Sequence, residues 1–170
     1  LCDAFDLPIV SLCDTPGFMV GPEAEKTGVV RHVSRMFVNG ASLTVPWFTV
    51  VLRKGYGLGA QAMAAGGFHE SVFTIAWPTG EFGGMGLEGY VRMGLRKEMQ
   101  AIADAAERAA WFEAKVASLY EQGKALAIAS ALEIDAVIDP AETRRWILAG
   151  LDAVPAAARR EGRKRPCVDV

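Results

Sequence analysis

The sequence predicts an α/β fold, and three observations carry that expectation. Short apolar runs such as Pro46-Trp47-Phe48-Thr49-Val50-Val51-Leu52 are continuous rather than alternating, the pattern of strands covered on both faces. Stretches with apolar residues at helical spacing lie between them. Fifteen of the 18 glycines fall at or before Gly94, and Ala/Glu/Arg/Lys-rich stretches follow. The first part therefore reads as strands and tight corners, and the rest as added helices.

Pro8-Ile9-Val10-Ser11-Leu12-Cys13 is a buried strand closed by the turn Asp14-Thr15-Pro16-Gly17. A helix is expected over 28–38, with Asn39-Gly40 as its stop. The second strand, 46–52, runs into Arg53-Lys54-Gly55-Tyr56-Gly57-Leu58-Gly59, after which Ala60-Gln61-Ala62-Met63-Ala64 opens a helix. Val72 to Pro78 is a third strand. Glu98 to Tyr120 reads as one long helix, outside the core or at a subunit interface. A short helix over Ala125 to Leu132 and a short strand over 135–139 follow. Pro140 then opens a helix to Leu151, at a position where its missing N–H costs nothing.

Composition excludes several classes. With 51% hydrophobic residues, 22% charged residues and a net charge of −2, the chain has enough apolar material for a core and is no disordered tail. A nucleic-acid binder would carry a basic excess. No apolar run approaches the roughly 18 residues of a membrane span. Leu1-Cys2-Asp3 offers no basic start or long apolar run of a leader peptide. Cys2, Cys13 and Cys167 are odd in number and scattered, so reduced thiols in a cytosol-like compartment are expected, with no zinc site. His32 and His69 are the only histidines, which weakens metal and Ser-His chemistry. The chain opens in what reads as the middle of a structured segment, so a piece of a longer polypeptide is expected.

The densest chemical signal is the corner Arg53 to Ala60. The first N–H groups of a helix have no partners within it and face the positive end of its dipole. Glycines let a ligand oxygen approach them closely. Such a corner can hold an anion or a developing oxyanion, and it can equally be a tight turn without a ligand. The spacing is not that of a phosphate loop. Gly57-Leu58-Gly59-Ala60-Gln61-Ala62 fits a dinucleotide fingerprint only formally, since no acidic residue follows a next strand at the right distance. Asp14-Thr15-Pro16-Gly17-Phe18 is a second corner, and the glycines at 83, 84, 86 and 89 mark a third. Glu81 and Glu88 are the acid/base alternatives, with exposed loop carboxylates as the plainer reading. The run Arg159 to Arg165 reads as a solvated basic tail.

Taken in order, Asp14 to Gly21, Glu25, Arg53-Lys54-Gly55-Tyr56-Gly57, Met63, Ala76-Trp77-Pro78, Met85-Gly86 and Ile134 to Arg144 resemble the C-terminal half of biotin-dependent acyl-CoA carboxyltransferase subunits. Among members of that family, the chain resembles propionyl-CoA and acetyl-CoA carboxylase β-type chains. The resemblance covers residues 1–155, leaving 156–170 as a basic, flexible tail. It implies a crotonase-like ββα superhelix with additional C-terminal helices, and carboxyl transfer from carboxybiotin to the α-carbon of an acyl-CoA. Backbone N–H groups would stabilise the ureido oxygen as it gains charge, and biotin would take the α-proton, so no Ser/His/Asp or metal set is needed.

Carried over by resemblance, the oxyanion donors are the main-chain N–H groups of Leu58 and Gly59, with Gly57 beside them. Tyr56, Gln61, Pro16, Gly17, Phe18, Gly83 and Gly84 would bind biotin or substrate. Here the corner reads Tyr56-Gly57-Leu58-Gly59-Ala60 where the family commonly has Tyr-Gly-Gly-Ala, and Gln61 stands at the acyl-selecting position. The implied partners are an N-terminal carboxyltransferase half, a biotin carboxylase and biotin carrier subunit, and further copies of the chain. The implied location is cytoplasmic, or the mitochondrial matrix in a eukaryote. A biotin-independent hydratase, isomerase or decarboxylase of the same fold and a catalytically silent assembly domain are the alternatives.

Overall fold

The structure, a computed structural model, describes residues 1–155; the expected basic tail at 156–170 and Cys167 lie outside the described residues. In chain order the elements are β1 (Ile9–Thr15), α1 (Pro22–Lys26), α2 (Val29–Ser42), β2 (Trp47–Tyr56), α3 (Gly57–Met63), β3 (Phe73–Ala76), β4 (Glu81–Gly83), α4 (Leu87–Gly94), α5 (Arg96–Ala101), α6 (Ala105–Gln122), α7 (Ala125–Ser130), β5 (Ala136–Val137) and α8 (Thr143–Ala153). A 3-10 turn at Pro140–Glu142 leads into α8. None of these helices is long and apolar enough to cross a membrane.

All named strand pairings are parallel, in the order β1-β2-β3-β5. The extended end of β2 pairs with β4 on the side away from β1: Gly55 lies opposite Thr15 on one side and Phe82 on the other. Parallel strands need crossovers, and crossovers put helices on both faces. One face carries Cys13, Val51, Ala76 and Phe82 under Ala60, Met63 and Ile128. The other carries Phe48, Val50, Phe73 and Ile75 under Trp146, Ile147 and Leu151 of α8. The continuous apolar strands therefore have the two-sided burial that their sequence predicts.

Polar groups in this core are paired. Thr49 Oγ1 meets Ser71 Oγ at 2.7 Å, and Thr74 Oγ1 donates to the Phe68 carbonyl at 2.6 Å. The Asp135 carboxylate accepts the Thr74 N–H at 2.7 Å. Among the described residues no buried side-chain nitrogen or oxygen lacks a partner, as the cost of an unmade buried hydrogen bond requires.

Strand β1 pairs with β2 alone among the described residues. Val10 and Leu12, 42% and 53% exposed, lie on the α8 face beyond the cover that α8 provides.

Several sequence expectations are corrected. Asn39-Gly40 does not stop α2, which runs to Ser42. Gly40 serves a close approach instead: a Cβ there would lie 2.7 Å from the Ala65 carbonyl oxygen. The long helix expected over 98–120 is interrupted at 102–104, because Asp104 caps α6 by accepting the Glu107 N–H at 2.8 Å. The glycine-rich stretch 83–89 contains the start of α4, whose buried Leu87 and Val91 stand four residues apart. Strand β2 continues through Arg53 to Tyr56 rather than ending at Leu52.

Candidate active site at the β2–α3 corner

The corner is built by a mismatch between β1 and β2. Cys13 faces Val51, but two residues later Thr15 faces Gly55, so β2 carries two extra residues. The Asp14 carboxylate fills the gap. It accepts the Lys54 N–H at 3.0 Å and Arg53 Nε at 3.3 Å, and pairs with the Arg53 guanidinium at 3.2 Å. The Lys54 N–H first, and Arg53 with it, hold the Asp14 carboxyl below the usual carboxylate range. This bulge carries β2 past the end of β1 and delivers Tyr56 to the start of α3.

Gly57 makes the turn. Its φ of +57° is left-handed, and a Cβ would lie 2.9 Å from the Gly84 carbonyl oxygen. Conformation and space both demand glycine there. Leu58 and Gly59 follow in the first turn of α3, where N–H groups have no intrahelical acceptor. Among the described residues neither N–H donates to another element.

A cavity of about 420 Å³ opens beside this turn. It is lined by Gly55, Gly57, Leu58, Gln61, Phe68, Phe82, Gly83, Gly84, Ile128 and Glu133. Four of those positions are glycine, so much of the wall is bare backbone. A smaller, apolar cavity of about 260 Å³ shares Phe82, Gly83, Gly84 and Ile128 and extends toward Leu87, Tyr90 and Leu119.

Of the residues selected from sequence, Gly57, Leu58, Gln61, Gly83 and Gly84 line one cavity. Gly59 is buried and is not in the cavity lining; its α-carbon side lies against Gly17. Pro16, Gly17 and Phe18 are not in the cavity lining, and Gly17 serves the corner as the surface on which Gly59 rests. Tyr56 is 3% exposed and also absent from the lining. Its hydroxyl donates to Glu81 Oε2 at 3.2 Å, and burial, with Glu81 beside it, pushes the phenol well above its ordinary value.

The acid/base alternatives are placed elsewhere. Glu81 accepts from Tyr56, and Glu88 accepts from Tyr120 at 3.0 Å; neither lines the cavity. His32 is exposed on α2. Sequence reasoning passed over Phe68, Phe82, Ile128 and Glu133, which complete the walls. Phe68, Phe82 and Ile128 carry no signal by type, since aromatic and aliphatic residues read as core, and Glu133 reads as one more exposed carboxylate. Glu133 lies 3.8 Å from His69 Nε2 at the exposed rim.

The carboxyl transferase domain model matches residues 1–166. The chain belongs to this family. The carboxyl transferase chain is 39% identical over 153 residues to the methylmalonyl-CoA carboxyltransferase 12S subunit of Propionibacterium freudenreichii, covering 89% of itself and 28% of that protein. It is 37% identical over 149 residues to a propionyl-CoA carboxylase beta chain of Cereibacter sphaeroides, covering 86% of itself and 27% of that chain. Among solved structures, a single-chain, multi-domain long-chain acyl-CoA carboxylase is 57% identical with a TM-score of 0.75, over 87% of this chain and 14% of that one. The geranyl-CoA carboxylase beta subunit of P. aeruginosa is 30% identical with a TM-score of 0.79, over 96% of this chain and 32% of that one. The carboxyl transferase chain thus spans under a third of the length of these relatives. Its parallel α/β architecture is that of their crotonase-like domains.

Proposed function

We propose that this chain forms the biotin side of an acyl-CoA carboxyltransferase and acts with an N-terminal half that holds the acyl-CoA. One observation carries the reading: Leu58, in an uncapped first helical turn, lines a cavity to which four glycines contribute bare backbone. The relatives named as methylmalonyl-CoA carboxyltransferase and propionyl-CoA carboxylase support the reaction class.

The residues present suit the biotin head group. A flat ring system with one carbonyl acceptor needs a narrow slot, apolar walls and a donor at one end. Gly55, Gly57, Gly83 and Gly84 narrow the slot, Phe68, Phe82 and Ile128 line it, and the Leu58 N–H is the donor, with Gly59 next in the turn. Biotin, when bound, supplies a transferable carboxyl group. The Leu58 N–H, with that of Gly59 next in the turn, would donate to an oxygen that gains negative charge, and a fixed amide does so without reorganising. Phe68, Phe82 and Ile128 exclude water, which strengthens that interaction. Gln61, exposed in the same lining, faces the choice of acyl group. A biotin carrier, a biotin carboxylase, self-association and a cytoplasmic location go with this reading, as does a domain extending over 1–155.

The test is a pair of substitutions in the complete carboxyltransferase subunit. Leu58→Pro deletes the N–H at a first-turn position that tolerates proline, while Leu58→Ala keeps it. Loss of one oxyanion donor costs about 10²- to 10³-fold in kcat. Leu58→Pro is expected to fall by that factor and Leu58→Ala by far less. Full turnover in folded Leu58→Pro would overturn the assignment.

A further inference from the structure

The candidate cavity has two backbone walls that come from different elements. One is the Gly57-Leu58 turn at the start of α3; the other is Gly83-Gly84 at the end of β4. They touch at one place, where the Gly84 carbonyl closes on the α-carbon of Gly57. Only three ladder positions, Lys54–Glu81, Gly55–Phe82 and Tyr56–Gly83, hold β4 to β2. That is a short ladder for a wall whose position decides the width of the slot.

The side chain of Tyr56 reinforces it. A Cβ on Gly83 would sit 3.0 Å from Cδ1 and Cε1 of the Tyr56 ring, so the ring lies flush against the Gly83 backbone. The hydroxyl then reaches two residues back along β4 to Glu81 Oε2. Tyr56 thus spans β4 from Gly83 to Glu81 while its own backbone is the N-cap residue of α3. Glu81 is anchored in turn: its backbone bridges Lys124, and the flanking Gly80 and Phe82 bond to Ala125 and Gly123. A second tyrosine–glutamate bond, Tyr120 to Glu88, ties α6 to α4 beside it.

We infer that Glu81, acting through the Tyr56 hydroxyl, is a positioning residue that fixes the Gly83-Gly84 wall against the Leu58 turn and so sets the width of the slot. Neither side chain lines the cavity, so the effect is on geometry and not on chemistry. This rests on the reading of Leu58 as the oxyanion donor. A displacement of about 1 Å in such a site costs up to about 10²-fold in rate.

The experiment uses the complete, biotin-supplied carboxylase. Tyr56→Phe keeps the ring on Gly83 and deletes the hydroxyl that bonds Glu81. It is expected to lower kcat about 10- to 100-fold with the KM for acyl-CoA unchanged, at a temperature well below its melting point. Glu81→Ala should match it, and the double variant should be no slower than either. Glu81→Gln keeps an acceptor oxygen and should restore most of the rate. Unchanged kcat in Tyr56→Phe overturns the inference, as does a Glu81→Gln variant as slow as Glu81→Ala. If Leu58→Pro is fully active, the donor reading itself fails. If Leu58→Pro is dead and Tyr56→Phe is normal, only the positioning role fails.

Discussion

Gly59 rests directly on Gly17: a Cβ at position 59 would lie 2.9 Å from the Gly17 α-carbon and 3.3 Å from Thr15 Oγ1. The first helical turn after β2 is thereby seated on the turn that ends β1. A Gly59→Ala variant must push one backbone away from the other. Overpacking of this kind costs about 1–3 kcal/mol. Thermal melting of Gly59→Ala against the parent protein should show that loss, and an unchanged melting point would show that the two turns are not in contact.

Gly123 is under a harder constraint. A Cβ there would run into the Phe82 carbonyl oxygen, which also accepts no escape by rotamer change because the obstacle is backbone. The Gly123 carbonyl meanwhile accepts the Phe82 N–H at 2.7 Å. Gly123→Ala is expected to cost about 3 kcal/mol or more, and to exceed Gly84→Ala, whose Cβ meets open space. Denaturant midpoints for the two variants check the order; equal midpoints would contradict it.

The Asp14 bridge across the β2 bulge gives a pH signature. Its carboxyl is held below the ordinary value of 3.8, first by the Lys54 N–H. The unfolded chain therefore takes up this proton at higher pH than the folded one. The stabilisation is present above the unfolded value and is lost as pH falls through the folded value. Melting curves between pH 7 and pH 3 should show Asp14→Asn losing less stability than the parent below about pH 4. Parallel curves throughout would remove Asp14 from the account.

Cys13 should be inert. Burial first, and the Asp14 charge second, push its thiol up to about 11, and it has no exposed surface. The thiolate is the reactive form. Peptide mapping after iodoacetamide treatment of the native protein at pH 7.5 should find label at Cys2, which is half-buried, and none at Cys13. Early labelling of Cys13 would mean that β1 opens readily.

The strands and the corner were legible because their signals are local. Phe48, Val50 and Val51 in an unbroken apolar run could only be a two-sided strand, and Gly57 to Gly59 directly after it could only be a sharp turn. What escaped depends on partners distant in the chain. Gly40 reads as a helix stop, yet it is glycine because Ala65 presses on it. Strand β4 is three residues long and exists because β2 runs on past the end of β3 and leaves that side open for it. Tyr56 reads as a ligand-facing residue beside the glycines, but the Gly83 backbone covers its ring. The cavity walls Phe68 and Ile128 look like ordinary core in sequence, and partly they are.

Among the described residues the outer flank of β1 is unpaired, and this has a practical outcome. Its outer side offers a row of main-chain donors and acceptors, with the apolar side chains of Val10 and Leu12 next to it. Such a margin is a template for like strands. Handled by itself at high concentration, this span should stick to its own kind, and insolubility on expression would then report edge-to-edge pairing of β1, not misfolding.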